Sequence, residues 1–173
     1  VSGEGKTITK LGGVGTSGSG ESSFTTANGT VDLSGPGNFF QGSVNANVGT
    51  GNFLLKNSPA IVAGNITAMD VTLDTGGAPI SQTGALIASG NLTAISRSTI
   101  GLTNANNSIA GIIQADTNSN VRITNSRDTL LGNVTIGTYQ LFLNVDGNIS
   151  QSDGTSLSVQ GLDLAKNSVD LNN

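Results

Sequence analysis

Pairs of apolar residues two positions apart recur along the chain: Val31/Leu33, Phe53/Leu55, Val71/Leu73, Ile100/Leu102, Val121/Ile123, Leu141/Leu143 and Val169/Leu171. A spacing of two sends both side chains to one face of a strand, so each pair predicts a short strand with these residues inward. Further short strands are predicted between them, over residues 42–48, 61–63, 65–68, 85–88 and 133–136, with Gly, Asn, Asp, Ser or Pro at the corners. Helix is excluded. No dozen residues keep an i, i+3, i+4, i+7 apolar stripe, and glycine interrupts every window long enough to hold one.

The pattern repeats at long range. Val31-Asp32-Leu33 returns as Ile100-Gly101-Leu102 and again as Val169-Asp170-Leu171, a spacing of 69 residues each time. Asn38 and Gly42 return as Asn107 and Gly111, Asn57 and Ser58 as Asn125 and Ser126, and Ile80-Ser81-Gln82 as Ile149-Ser150-Gln151. Gly64-Asn65-Ile66-Thr67 becomes Gly132-Asn133-Val134-Thr135. The inward pairs follow one another at 22, 18, 29, 21, 20 and 28 residues, which reads as three coils per unit with the third always long. Short strands wound at this pitch, each pairing with the coils above and below, describe an all-β solenoid of about seven or eight coils and on the order of 35 Å in length. A β-sandwich shares the short strands but has no reason to repeat its sequence at 69 residues. The expected organisation is a single segment over 1–173: irregular first coils over 1–30, repeat 1 over 31–99, repeat 2 over 100–168, and the start of a third repeat over 169–173. With no initiator Met and no recognisable cap, it reads as a slice of something longer.

Composition changes the picture mainly by exclusion. There is no cysteine, histidine or tryptophan, so histidine acid/base chemistry, His or Cys metal sites, thiol catalysis and disulfides are unavailable. A net charge of −4, with only seven basic residues, argues against nucleic acid and anionic membrane surfaces as partners. Apolar runs of four or five residues are too short to span a bilayer as a helix. The 25 glycines and abundant asparagine suit tight corners, while aliphatic residues suit a narrow interior.

Several stretches carry a resemblance. STIGLTN over 98–104, NSIAG over 107–111, NVRITN over 120–125, GNVT over 132–135, GNISQ over 147–151 and GAPISQTG over 77–84 resemble the repeats of filamentous haemagglutinin-like exoproteins, the secreted partners in two-partner secretion. The likeness covers about residues 22–173. It implies a right-handed parallel β-helix forming a rod segment of a secreted or cell-surface bacterial adhesin, exported by an outer-membrane secretion partner and contacting host or matrix glycans or proteins. It identifies no receptor. The secretion motifs of that family are not found in this chain.

Motifs of chemistry are weak. Gly13-Val14-Gly15-Thr16-Ser17-Gly18 spells a dinucleotide fingerprint without the helix or the acidic residue it needs. Gly5-Lys6-Thr7 lacks the upstream half of a phosphate loop, and Gly12–Ser17 puts serine where a calcium β-roll needs aspartate. No cofactor and no metal is expected. Acidic corners such as Asp146 and Asp153 are the places where a stray ion would sit. Parallel β-helices can cleave polysaccharides with paired carboxylates, which makes Asp32, Asp70, Asp74, Asp128 and Asp170 the candidates to be weighed; none forms a pair with basic or aromatic company that breaks the repeat. The positions between inward pairs show no Thr lattice for ice. The N-x-Ser/Thr sequons at Asn28, Asn65, Asn91, Asn133 and Asn148 follow from Gly-Asn corners leading into β-branched strands. Leu54 and Phe142 fall between inward neighbours and should face out, as candidates for lateral contact with another rod or for cover by a loop. The chain therefore reads as a non-enzymatic rod, with a carbohydrate-active β-helix and a filament subunit that self-associates end to end or laterally as alternatives.

Overall fold

The computed structural model describes residues 2–4, 8–9, 15–16, 19–165 and 169–171. Among them there is no helix, and every strand pairing is parallel. Two ladders run the length of the molecule, one in an 11-stranded and one in a 10-stranded sheet, and a two-stranded sheet of Gly15–Thr16 and Phe39–Phe40 lies on a third side. The chain crosses from one ladder to the other at every half turn and completes about seven turns, so the fold is a β-solenoid.

Register explains the alternation. In one ladder Val31, Phe53, Val71, Leu92, Ile113 and Leu131 stack as successive partners. In the other, Ile61, Ile80, Ile100, Val121 and Leu141 do the same. All of these are buried, and with their ladder-mates they form one continuous aliphatic core. Each buried Leu, Ile or Val contributes roughly 1.5–3 kcal/mol against exposure, and the backbone hydrogen bonds are satisfied between coils along the axis. Phe24 and Phe40 meet edge to face within the core, 5.8 Å apart at 86°. Twelve of the fourteen expected core residues lie in the core: Val31, Leu33, Phe53, Leu55, Val71, Leu73, Ile100, Leu102, Val121, Ile123, Leu141 and Leu143. Leu171 packs partly against it. Val169 is a correction: it is 40% exposed, because among the described residues its strand, Val169–Asp170, has a ladder partner, Ile149–Gln151, on one side only.

The 69-residue unit needs a second correction. It spans three and a half coils, not three. Val31–Leu33 lies in one ladder, its repeat Ile100–Leu102 lies in the other, and Val169–Asp170 returns to the first. The same exchange holds for the longest strands. Ile61–Ala68 is bulged and pairs onward with both Ile80–Gln82 and Leu86–Ala88. Its counterpart Thr129–Thr135 does the same in the opposite ladder, with Ile149–Gln151 and Leu157–Ser158. The long third interval is thus one coil plus half a coil: Val71 stacks on Leu92, and Ile100 sits on the other side of the rod. Leu92-Thr93-Ala94 escapes notice as an inward pair because alanine fills its second slot.

Regular coils also begin earlier than residue 31. Ser22–Ala27 alternates buried and exposed and pairs in register with Ser43–Asn47, so the irregularity expected over 1–30 does not extend through 22–27. The strands Ser2–Glu4 and Ile8–Thr9 pair with this coil and the next. The glycine motifs at 5–7, 12–17 and 13–18 fall mostly outside the described residues.

Candidate functional site

The corners decide what the carboxylates and asparagines do. On one edge of the rod Thr30, Asn52, Asp70 and Asn91 form a ladder in which each side-chain oxygen accepts a backbone N–H from the coil above. Asn52 N donates to Thr30 Oγ1 at 3.3 Å, Asp70 N to Asn52 Oδ1 at 3.3 Å, Asn91 N to Asp70 Oδ1 at 2.7 Å and Ile112 N to Asn91 Oδ1 at 2.8 Å. The bulge in the 11-stranded ladder uses the same device: Asn65 N donates to Asn45 Oδ1 at 2.7 Å, and Ala85 N to Asn65 Oδ1 at 3.0 Å. A strand end leaves backbone donors without ladder partners, and a short side-chain acceptor reaches them with little entropy cost. Sequon asparagines Asn28, Asn65, Asn91 and Asn133 all serve this way.

Four of the weighed carboxylates do the same kind of work. Asp70 belongs to the corner ladder, and Asp128 Oδ1 accepts Asn148 N at 2.8 Å. Asp74 accepts Gly76 N at 2.8 Å and meets Lys56 at 3.0 Å. Asp32 accepts both the Ser34 hydroxyl at 2.6 Å and its backbone N–H at 3.0 Å. Those two bonds, the hydroxyl's first, hold the Asp32 carboxyl below the usual carboxylate range despite a slight opposing effect of burial.

Four buried asparagines were visible as repeats but not as structural hubs. Asn57 Oδ1 accepts Phe40 N at 2.9 Å, while its Nδ2 donates to Phe40 O and Ala60 O at 2.9 Å. Its counterpart Asn125 accepts Ile109 N at 2.8 Å and donates to Ile109 O at 3.1 Å and Thr129 Oγ1 at 2.9 Å. Each amide satisfies both backbone groups of a residue one coil below, as the next rung of a sheet would. Asn38 and Asn107 donate to Leu33 O at 2.6 Å and Leu102 O at 3.1 Å, again at equivalent places.

The outward face is where the repeat breaks. In one ladder the outward column runs Asp32, Leu54, Thr72, Thr93 and Gln114. Leu54 is half-buried there, beside a shallow groove of about 220 Å³ bordered by Asn52, Asp70 and Asn91. In the other ladder the equivalent positions read Gly101, Arg122, Phe142 and Asp163. Arg122 and Asp163 are exposed and Phe142 is half-buried. The Arg122 guanidinium carbon lies 3.9 Å from the centre of the Phe142 ring, a cation–π contact worth roughly 0.5–1 kcal/mol at an exposed site. Phe142 is thus covered by a side chain of the adjoining coil rather than by a loop. These residues, with Ile123, Leu143, Asn144 and Ala165, border a groove of about 350 Å³. Arg122 and Asp163 join Phe142 only through strand register, which places residues 20 and 21 positions apart side by side.

Neither curated proteins nor solved structures match this chain. A family model described as repeats of unknown function, DUF5649, matches twice in tandem, over residues 50–116 and 118–173. Those two matches account for most of the chain and step along it at nearly the interval of the three-and-a-half-coil unit. The chain belongs to the family of repeats of unknown function DUF5649.

Proposed function

We propose that this chain is a non-enzymatic rod segment of a large secreted or cell-surface bacterial adhesin, holding binding surfaces away from the cell. The observation that carries the reading is the division of labour across the strand. Inward residues and corner acceptors recur from unit to unit, whereas the outward residues at equivalent positions change from Leu54 and Thr72 to Arg122 and Phe142. A scaffold that repeats while its surface varies suits display. Binding of Asp32, Asp70, Asp74 and Asp128 to backbone or scaffold groups favours support over catalysis. The adhesin setting, with secretion by an outer-membrane partner and host or matrix glycans or proteins as targets, rests on the resemblance to filamentous haemagglutinin-like repeats.

The test is a binding screen of the purified chain on immobilised glycans, matrix proteins and host cells, with the same samples assayed for polysaccharide cleavage. Saturable binding without cleavage supports the adhesive rod. Cleavage products replace it with a carbohydrate-active β-helix. Silence on every surface removes the adhesive part and leaves a stalk.

A further inference from the structure

We infer that the Arg122–Phe142–Asp163 column is a lateral contact through which a second copy of this chain packs face to face, with the two rods antiparallel. The inference deepens the rod reading, on which it rests, by naming a partner for one face.

The argument is one of symmetry. Arg122, Phe142 and Asp163 are register partners on three successive strands, so a cation, a ring and an anion stand in line at steps of about 4.8 Å. A two-fold axis along the central strand, Gln140–Val145, reverses the order of the coils and leaves position along the strand unchanged. It lays Arg122 against Asp163 of the second copy, Asp163 against Arg122 of the second copy, and Phe142 against Phe142. Both ion pairs form at once, as an isologous contact requires. The exposed Gln140 and Asn144, on the same strand, lie on the axis and meet their own copies. An amide is both donor and acceptor, so it suits a self-contact. Thr124 then faces Ala165, its register neighbour two coils up in the same outward row. Gly101, one coil below Arg122, has no side chain to hold the faces apart.

Orientation is specified by charge. Parallel rods in the same contact set Arg122 on Arg122 and Asp163 on Asp163, which is repulsive. The equivalent column of the opposite ladder, Leu54–Thr72–Thr93, is uncharged and offers no such pairing, so the contact belongs to one side of the rod. A patch of a few coils falls short of the roughly 800 Å² per partner of a standard interface, so the association is weak, concentration-dependent and weakened by salt.

Sedimentation equilibrium of the whole chain over about a hundredfold range of concentration tests this, with circular dichroism to establish that each variant is folded. The wild type should dimerise at the upper end. Arg122→Asp or Asp163→Arg alone should weaken dimerisation about tenfold or more, and the double exchange should restore it. Orientation has its own readout, because the chain has no cysteine. Because sheets packed face to face stand about 10 Å apart, too far for a direct disulfide, Gln140→Cys should couple to itself through a thiol crosslinker about that long, and Thr124→Cys should couple to Ala165→Cys but not to itself. A wild type that stays monomeric, single reversals without effect, a double exchange that fails to restore pairing, or Thr124→Cys self-linking would each overturn the inference. A monomeric wild type that still binds in the screen above would sink this contact and leave the adhesive rod standing.

Discussion

The two repeat units, 31–99 and 100–168, build the same interior on opposite sides of the rod, and they differ almost wholly outside. Asn57 and Asn125 hold Phe40 and Ile109 by the same pair of bonds, although one lies in the 10-stranded sheet's register and the other in the 11-stranded sheet's. Outside, Leu54, Thr72 and Thr93 give way to Arg122, Phe142 and Asp163. The half coil in the unit explains how this is possible. Successive units present equivalent surfaces to opposite directions, so one side can change chemistry while the stacked core is untouched. Repetition here marks what the scaffold needs, and its failure marks what the scaffold leaves free.

The largest effect should come from the buried amides. Asn57→Ala and Asn125→Ala each strand the N–H and C=O of a buried residue one coil below, at about 1–3 kcal/mol per unsatisfied group. Each should lower stability by roughly 3 kcal/mol, and by similar amounts, measured by urea unfolding. A large loss at one site and none at the other would break the equivalence of the two interiors.

Glycines give a sharper comparison at intermediate size. Gly42 and Gly111 are repeat partners, and a methyl group at either would collide with the coil below: with Gly20 and Ser19 backbone atoms in the first case, with Gly90 backbone and Asn91 Oδ1 in the second. Gly101 has no such neighbour; the nearest atom to an added methyl is Ile80 O at 3.8 Å. Gly42→Ala and Gly111→Ala should each cost about 1–3 kcal/mol, as overpacking does. Gly101→Ala should be neutral or gain up to about 1 kcal/mol from reduced chain entropy, seen as a higher melting temperature. A loss at Gly101 equal to that at Gly111 would mean that the outward column is as constrained as the corners.

The strands and the repeat are legible in the sequence because both are periodic: inward pairs at a spacing of two, and Val31, Ile100 and Val169 at 69. The half coil is not, because residue spacing counts positions along the chain and is blind to which side of the rod they reach. Alanine at Ala94 hides the coil between Val71 and Ile100 from the pattern of inward pairs. The asparagines at 38, 57, 107 and 125 repeat visibly, but a polar residue that repeats in a glycine-rich chain reads as a corner, and only burial separates a hub from a turn. Phe142 can be found from its place between Leu141 and Leu143. Its companions Arg122 and Asp163 cannot, since nothing local ties residues 20 positions apart until the register is known.

The smallest effect concerns Asp32, which stands where the second unit has Gly101 and so gives unit 1 a titrating group that unit 2 lacks there. Hydrogen bonds from the Ser34 hydroxyl and then its backbone N–H hold the Asp32 carboxyl below its ordinary value. A depressed folded pKa means that the unfolded chain takes up the proton first. The stabilisation is therefore full above the ordinary aspartate pKa of about 3.9 and is lost as pH falls through the lower folded value. Asp32→Asn should leave the melting temperature near neutral pH slightly lower than wild type, and the gap should close on acidification below about pH 4. Because the side chain is largely solvated, the difference should be the least of the three and further reduced by salt. Ser34→Ala should reproduce it, since the hydroxyl is the larger cause of the shift. A gap that widens toward low pH would show that the carboxylate is held against its charge, and that unit 1 gains nothing from having an acid where unit 2 has none.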